Sequence, residues 1–218
     1  MKTESTNVFA SSFLQALLSG NRKQCSKIAA DYLKADPSFI NLYENVLKKA
    51  LYEIGRLWET NQISVAAEHL ATAITEAVLN ELFAQLISNK RLNNRVMLTT
   101  VENEQHQVGL RMVADVFEMH GWETYYLGVG FPLEELIPYI AEVQPNILAI
   151  SWSIPFNFDK LKLLTIEVGR LYPNVTLLIG GQALQEMSPE QKLELKNFIL
   201  IPNLYVLEQF IHSQKSSA

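Results

Sequence analysis

The sequence predicts an α/β protein: an N-terminal antiparallel four-helix bundle followed by a doubly wound, parallel five-stranded Rossmann-like domain. Three observations predict it. Up to about residue 88, apolar residues recur at helical spacing in every patterned segment. Past Arg95, short apolar runs alternate with helical patterns, which makes crossover units and a parallel sheet. Between the two lies Asn89 to Asn94, polar and unpatterned, which reads as a linker. The expected boundaries are 1–90 for the bundle and 94–218 for the α/β domain.

In the first half, Phe9, Phe13, Leu14 and Leu17 make a stripe that stops at Gly20. Cys25, Ile28, Ala29, Tyr32 and Leu33 make a second, ended by Asp36-Pro37. A third runs from Leu42 to Leu57 through Val46, Ala50 and Ile54. Ser64 is placed to cap a fourth, which carries Leu70, Ala73, Ala77 and Leu86. Short loops between such helices make a bundle. In the second half the strand candidates are Val96–Val101, Thr124–Leu127, Ile147–Ser151, Val175–Ile179 and, more weakly, Phe198–Ile201. Helices are expected at Gln107–His120, Leu133–Val143, Asp159–Leu171 and Leu204–His212, ahead of a polar tail from Gln214. The near-continuous apolar run Ile147–Ile150 suits a sheet covered on both faces.

Composition narrows the class. The 218 residues are 48% hydrophobic with a net charge of −5 and scattered basic residues, so direct nucleic-acid binding is not expected. No apolar stretch is long enough to span a membrane, and Met1 to Asn7 has no secretory character. A single cysteine, Cys25, fits a reducing, cytoplasmic setting.

The loops after the strands carry the chemistry, because ligands of open α/β sheets sit at the carboxyl ends of the strands. After the first strand comes Glu104-Gln105-His106-Gln107-Val108-Gly109. Taken alone, His106 reads as a surface or helix-capping residue. In this loop it can bind a metal, Glu104 can orient its ring, and Gly109 admits something bulky. Gly128-Val129-Gly130, Ser151-Trp152-Ser153 and Gly180-Gly181 follow the next three strands. Together they describe a wide crevice with donors along its floor, suited to a phosphate-bearing cofactor with a long tail. No dinucleotide fingerprint, Walker loop or nucleophile elbow is present, and zinc would want more ligands than Glu104 and His106. In the helical half, Trp58 precedes Glu68-His69 by nine residues across a short loop, and these side chains can converge at one end of the bundle.

Glu104-x-His106-x-x-Gly109, with Ser151-x-Ser153 and Gly180-Gly181, resembles the cobalamin-binding domain of methionine synthase, corrinoid proteins and certain mutases. The usual first residue is Asp, and Glu104 is expected to accept the imidazole hydrogen bond in its place. The resemblance implies that His106 replaces the cofactor's own base as lower cobalt ligand. The displaced base would then run beside Ser151, Ser153, Gly180 and Gly181, with Gln105 also in contact. The motif Trp58-x9-Glu68-His69 is similar to the helical cap of the CarH-type adenosylcobalamin photoreceptors. That implies Trp58, Val65, Glu68 and His69 over the upper ligand, with the bundle as cap.

Two departures accompany the likeness. The bundle begins almost at Met1, leaving no room for a DNA-binding domain. Glu59 stands after Trp58 where a subset of those receptors has the histidine that captures cobalt. The reading favoured by the sequence is a cobalamin-binding light sensor in signalling and transcription regulation, not itself an enzyme. Its cofactor would be adenosylcobalamin, with methylcobalamin or hydroxocobalamin as other forms. It would act through a homo-oligomer or a partner protein. The second reading is a corrinoid carrier serving methyltransferases; the third is an interaction protein without cofactor.

Overall fold

The computed structural model describes residues 2–195 and 197–215; the last three residues of the expected polar tail lie outside them. The chain divides into two compact units, the first ending at Leu86 and the second beginning at Ile87.

The first unit is helical. It comprises α1 (Lys2–Leu18), α2 (Arg22–Ala35), α3 (Phe39–Leu42), a π-helical segment (Tyr43–Leu47), α4 (Lys48–Glu59) and α5 (Val65–Leu86). The segments from α3 to α4 run on without a break, so the unit has four rods as expected. The π turn is visible in the Lys48 amide, which donates to Tyr43 five residues back. Gly20, at φ +66, ends the first rod. The Asn21 side chain caps α2 by accepting from the Gln24 amide. Ser64 caps α5 by accepting from the Ala67 amide at 3.2 Å. The buried set Phe13, Leu17, Cys25, Ala29, Leu42, Val46, Ile54, Val78 and Leu79 draws on all four rods. Each large aliphatic side chain so buried contributes about 1.5–3 kcal/mol.

The second unit is a five-stranded parallel sheet in the order β2-β1-β3-β4-β5. Its strands are β1 (Arg95–Glu102), β2 (Glu123–Gly130), β3 (Ile147–Ser151), β4 (Thr176–Gly180) and β5 (Phe198–Leu200). The intervening helices are α6 (Val108–Met119), α7 (Leu133–Val143) and α8 (Phe158–Leu171), with α9 (Pro189–Glu194) before β5 and α10 (Leu204–Lys215) after it. Side chains alternate across the sheet. Met97, Val101, Leu148, Ile150, Leu177 and Ile179 join one core with Leu136, Ile140, Leu161 and Val168 of α7 and α8. Val96, Leu98, Ala149 and Leu178, the alternate positions, are also buried, as are Phe117 of α6 and Leu207 and Ile211 of α10. Both faces are therefore covered, as the fully buried pattern of β3 requires. The sequence did not reveal the 3-10 turns Pro155–Asn157 and Gln182–Gln185, nor α9.

The order reverses at β1. From β1 the chain crosses one way to β2, then returns past β1 to β3. Crevices in open α/β sheets form at that reversal, outside the carboxyl ends of the two strands.

Candidate functional site

The registers align Thr100 with Ser151 and Ser151 with Gly180, so these residues form a row across β1, β3 and β4 near their carboxyl ends. Within β1, Thr100 donates its hydroxyl to the Glu104 carbonyl at 2.9 Å and so ties down the loop that follows the strand. Glu104 is wholly buried. Its carboxylate accepts from the Ser153 amide at 2.8 Å, the Ile154 amide at 2.9 Å and the Asn157 side-chain amide at 3.2 Å. This corrects the expected role: Glu104 does not orient the His106 ring. Three bonds to the amides of one loop outcompete a single bond to an exposed ring, and the longer glutamate reaches across to the β3 loop.

The other end of the loop is also fixed. Tyr126 of β2 donates its hydroxyl to the Gln107 carbonyl at 3.2 Å, and the Arg111 guanidinium lies over the Tyr126 ring. Between these clamps His106 is exposed and makes no hydrogen bond or ion pair with any described residue. Gln105 beside it is exposed too. A Cβ added at Gly109 would meet nothing within 4 Å, so α6 is open at that position although Val108 and Leu110 on either side are buried. Ser151 and Ser153 keep hydroxyls without a protein partner, Ser151 largely buried and Ser153 half-buried.

The glycines split by role. Gly181 has φ +113, and a Cβ there would lie 2.1 Å from the Trp152 carbonyl oxygen. It lets the β4 end pack against the β3 end, which gives it a structural role. At Gly180 a Cβ would approach the Ile201 carbonyl at 3.2 Å.

Three apolar side chains stand at these strand ends; sequence reasoning named Val129 within its loop but missed Phe131 and Phe156. Val129 and Phe131 stand at the end of β2 and Phe156 in the turn after β3, all exposed, Phe156 at 92%. The available signal was a large apolar residue placed inside a strand-end loop.

The helical unit holds the second predicted group. Gln62 and Ile63 donate to the Leu57 carbonyl, which folds the loop back on α4. Trp58 therefore shares one end of this unit with the first turns of α5. It is 44% exposed rather than core, and Val65 is exposed as well. Glu68 accepts from Thr72 at 3.0 Å and pairs with the neighbouring His69 ring at 2.5 Å, leaving His69 largely exposed. Trp58 shares no hydrogen bond or ring contact with this pair.

His106 is thus an exposed imidazole on a loop held at both ends, a side chain able to ligate a metal. Two models, each described as a B12 binding domain, match residues 10–82 and 94–199. The chain is a cobalamin-binding domain protein. It is 24% identical over 130 residues to trimethylamine corrinoid protein 1 of Methanosarcina mazei, covering 58% of this chain and 60% of that protein. It is 26% identical over 153 residues to dimethylamine corrinoid protein 1 of Methanosarcina acetivorans, covering 67% and 70%. The monomethylamine corrinoid protein of Methanosarcina barkeri shares the fold at a TM-score of 0.79 and 16% identity, covering 94% of this chain and 97% of that one. These relatives are named as corrinoid proteins of methylamines, and none of them as a photoreceptor or a transcription regulator. Among the described residues, no helix is long and apolar enough to cross a membrane.

Proposed function

We propose that this cobalamin-binding protein is a corrinoid carrier, holding its cofactor at the carboxyl edge of β1 and β3 and presenting it to methyl-transferring partner proteins. The observation that carries the reading is His106, exposed and partnerless on a loop fixed at both ends. Bound cobalamin would supply a cobalt centre able to take up and release a methyl group. His106 offers the lower ligand nitrogen in place of the cofactor's own base. Glu104 and Tyr126 hold its loop in advance, so little order is lost on binding. Ser151 and Ser153 offer hydroxyls to the displaced base and its tail, and Gly180-Gly181 keep the floor clear. Gln105 and Gly109 border the corrin, and Val129, Phe131 and Phe156 give it apolar surface.

Two things favour the carrier over the sensor. The relatives are named as corrinoid proteins of methylamines. Residue 59 after Trp58 is glutamate, a poor stand-in for a cobalt-capturing imidazole. The relatives' names make methylated amines the first donors to test, with a methyltransferase as partner.

The deciding experiment loads the protein separately with hydroxocobalamin, methylcobalamin and adenosylcobalamin. A carrier binds the methyl form, gives up its methyl group to an acceptor methyltransferase, and keeps one mass in darkness and green light. Binding confined to the adenosyl form, with a light-dependent change of mass, would overturn the carrier and restore the sensor. The part played by Trp58, Val65, Glu68 and His69 is read from Trp58→Ala: a proposed cofactor contact predicts lower affinity for adenosylcobalamin than for methylcobalamin relative to the parent.

A further inference from the structure

The α/β unit carries a second constellation away from the crevice. His120 is the C-cap residue of α6, and Glu208 and His212 lie one turn apart on α10. One ligand atom from each falls within 4.8 Å of the others. Among the described residues it is the one group of three or more histidines, cysteines or carboxylates so arranged. His120 Nε2 stands 3.5 Å from Glu208 Oε1, and the His120 and His212 rings meet edge-on with centroids 4.8 Å apart.

We propose that His120, Glu208 and His212 form a binding site for a divalent transition metal of the zinc class. Zinc binds imidazole nitrogen and carboxylate oxygen at about 2.0–2.2 Å, which sets neighbouring ligand atoms about 3.2–3.6 Å apart in a tetrahedron. The His120–Glu208 spacing already lies in that range. His212 is exposed, so its ring can close the remaining gap by rotating. Residues i and i+4 of a helix share a face, which makes Glu208 and His212 a natural chelating pair. His120 is mostly buried, with 14% of its side chain exposed, and comes from a different element. The ion would therefore tie α10 to the far end of α6, the helix whose start follows the His106 loop. Water completes the fourth position. Imidazole and carboxylate together suit zinc, cobalt and nickel better than calcium or magnesium, which prefer oxygen alone.

The test uses the full-length, untagged chain, stripped of metal by a chelator and free of cobalamin. Zinc chloride is titrated by calorimetry, and cobalt(II) chloride by visible absorption, where a low-coordinate N/O site gives intense bands. The expected result is one equivalent per chain, a higher Tm with metal, and an affinity reduced by about tenfold or more in His212→Ala and in Glu208→Gln. His106→Ala and His69→Ala should bind as the parent does. Circular dichroism checks that each variant folds, and both substituted α10 residues are exposed enough to tolerate the change. Absence of saturable uptake overturns the site. So does uptake that survives both α10 substitutions, or uptake lost in His106→Ala or His69→Ala.

Discussion

A fully buried carboxylate needs donors, and Glu104 finds them in the Ser153 and Ile154 amides and the Asn157 side chain. Removing it strands the part-buried Ser153 and Ile154 amides and the buried Asn157 side-chain amide, each costing up to about 1–3 kcal/mol where water cannot reach it. Glu104→Ala is accordingly expected to lower stability by about 2–4 kcal/mol in urea unfolding and to weaken cobalamin binding, while Glu104→Gln loses less. Gly181→Ala should cost about 2–4 kcal/mol, since it combines a forbidden φ with a backbone clash at Trp152. The importance of position 104 was legible in the sequence; its partners were not, because they stand some fifty residues away in the β3 loop. A third residue gives a pH prediction. Burial pushes the Cys25 thiol from 9.0 up to about 11. Between those values the unfolded chain has released the proton and the folded chain has not, so stability is complete below about pH 9 and falls as pH rises toward 11. The difference amounts to on the order of 2 kcal/mol. Cys25→Ala should flatten that alkaline slope in pH-dependent melts; an unchanged slope would refute the assignment. The same burial keeps the native thiol slow to alkylate.

At the scale of elements, periodicity did most of the reading. Strand β3 was legible to the residue because its run is apolar on both faces and ends at a hydroxyl. Strand β2 runs longer at its carboxyl end than its apolar run suggested, reaching Gly128 to Gly130, because parallel pairing with β1 supplies its backbone bonds. The π segment within the third rod left no mark, since one extra residue in a turn barely shifts a 3.6-residue pattern. Helix α9 escaped because none of its described residues is buried, so it has no apolar stripe; its start is set by the Ser188–Gln191 capping box instead. Caps are testable here too. Ser64→Ala removes the acceptor for the Ala67 amide, and should cost about 0.5–2 kcal/mol, seen as faster amide exchange in the first turn of α5 and not elsewhere.

For the whole molecule, a helical half followed by a parallel α/β half was legible in the periodicity; the strand order β2-β1-β3-β4-β5 was not. The functional reading shifted between sensor and carrier because Trp58-x9-Glu68-His69 is a short, spaced motif on an exposed helix end. Such a motif constrains packing little and transfers poorly between proteins that share a fold. The strand-end residues constrain backbone geometry directly, as at Gly181, where a Cβ would meet the Trp152 backbone. The central claim is that His106 supplies the axial nitrogen to cobalt. It is tested most directly by electron paramagnetic resonance of the protein loaded with cobalamin and reduced to the cobalt(II) state, prepared with ordinary and with nitrogen-15 histidine. The account predicts that each cobalt line splits into a triplet from one axial nitrogen, becomes a doublet on labelling, and loses that histidine signature in His106→Ala. A triplet that persists on labelling would mean that the cofactor keeps its own base, and would contradict the account.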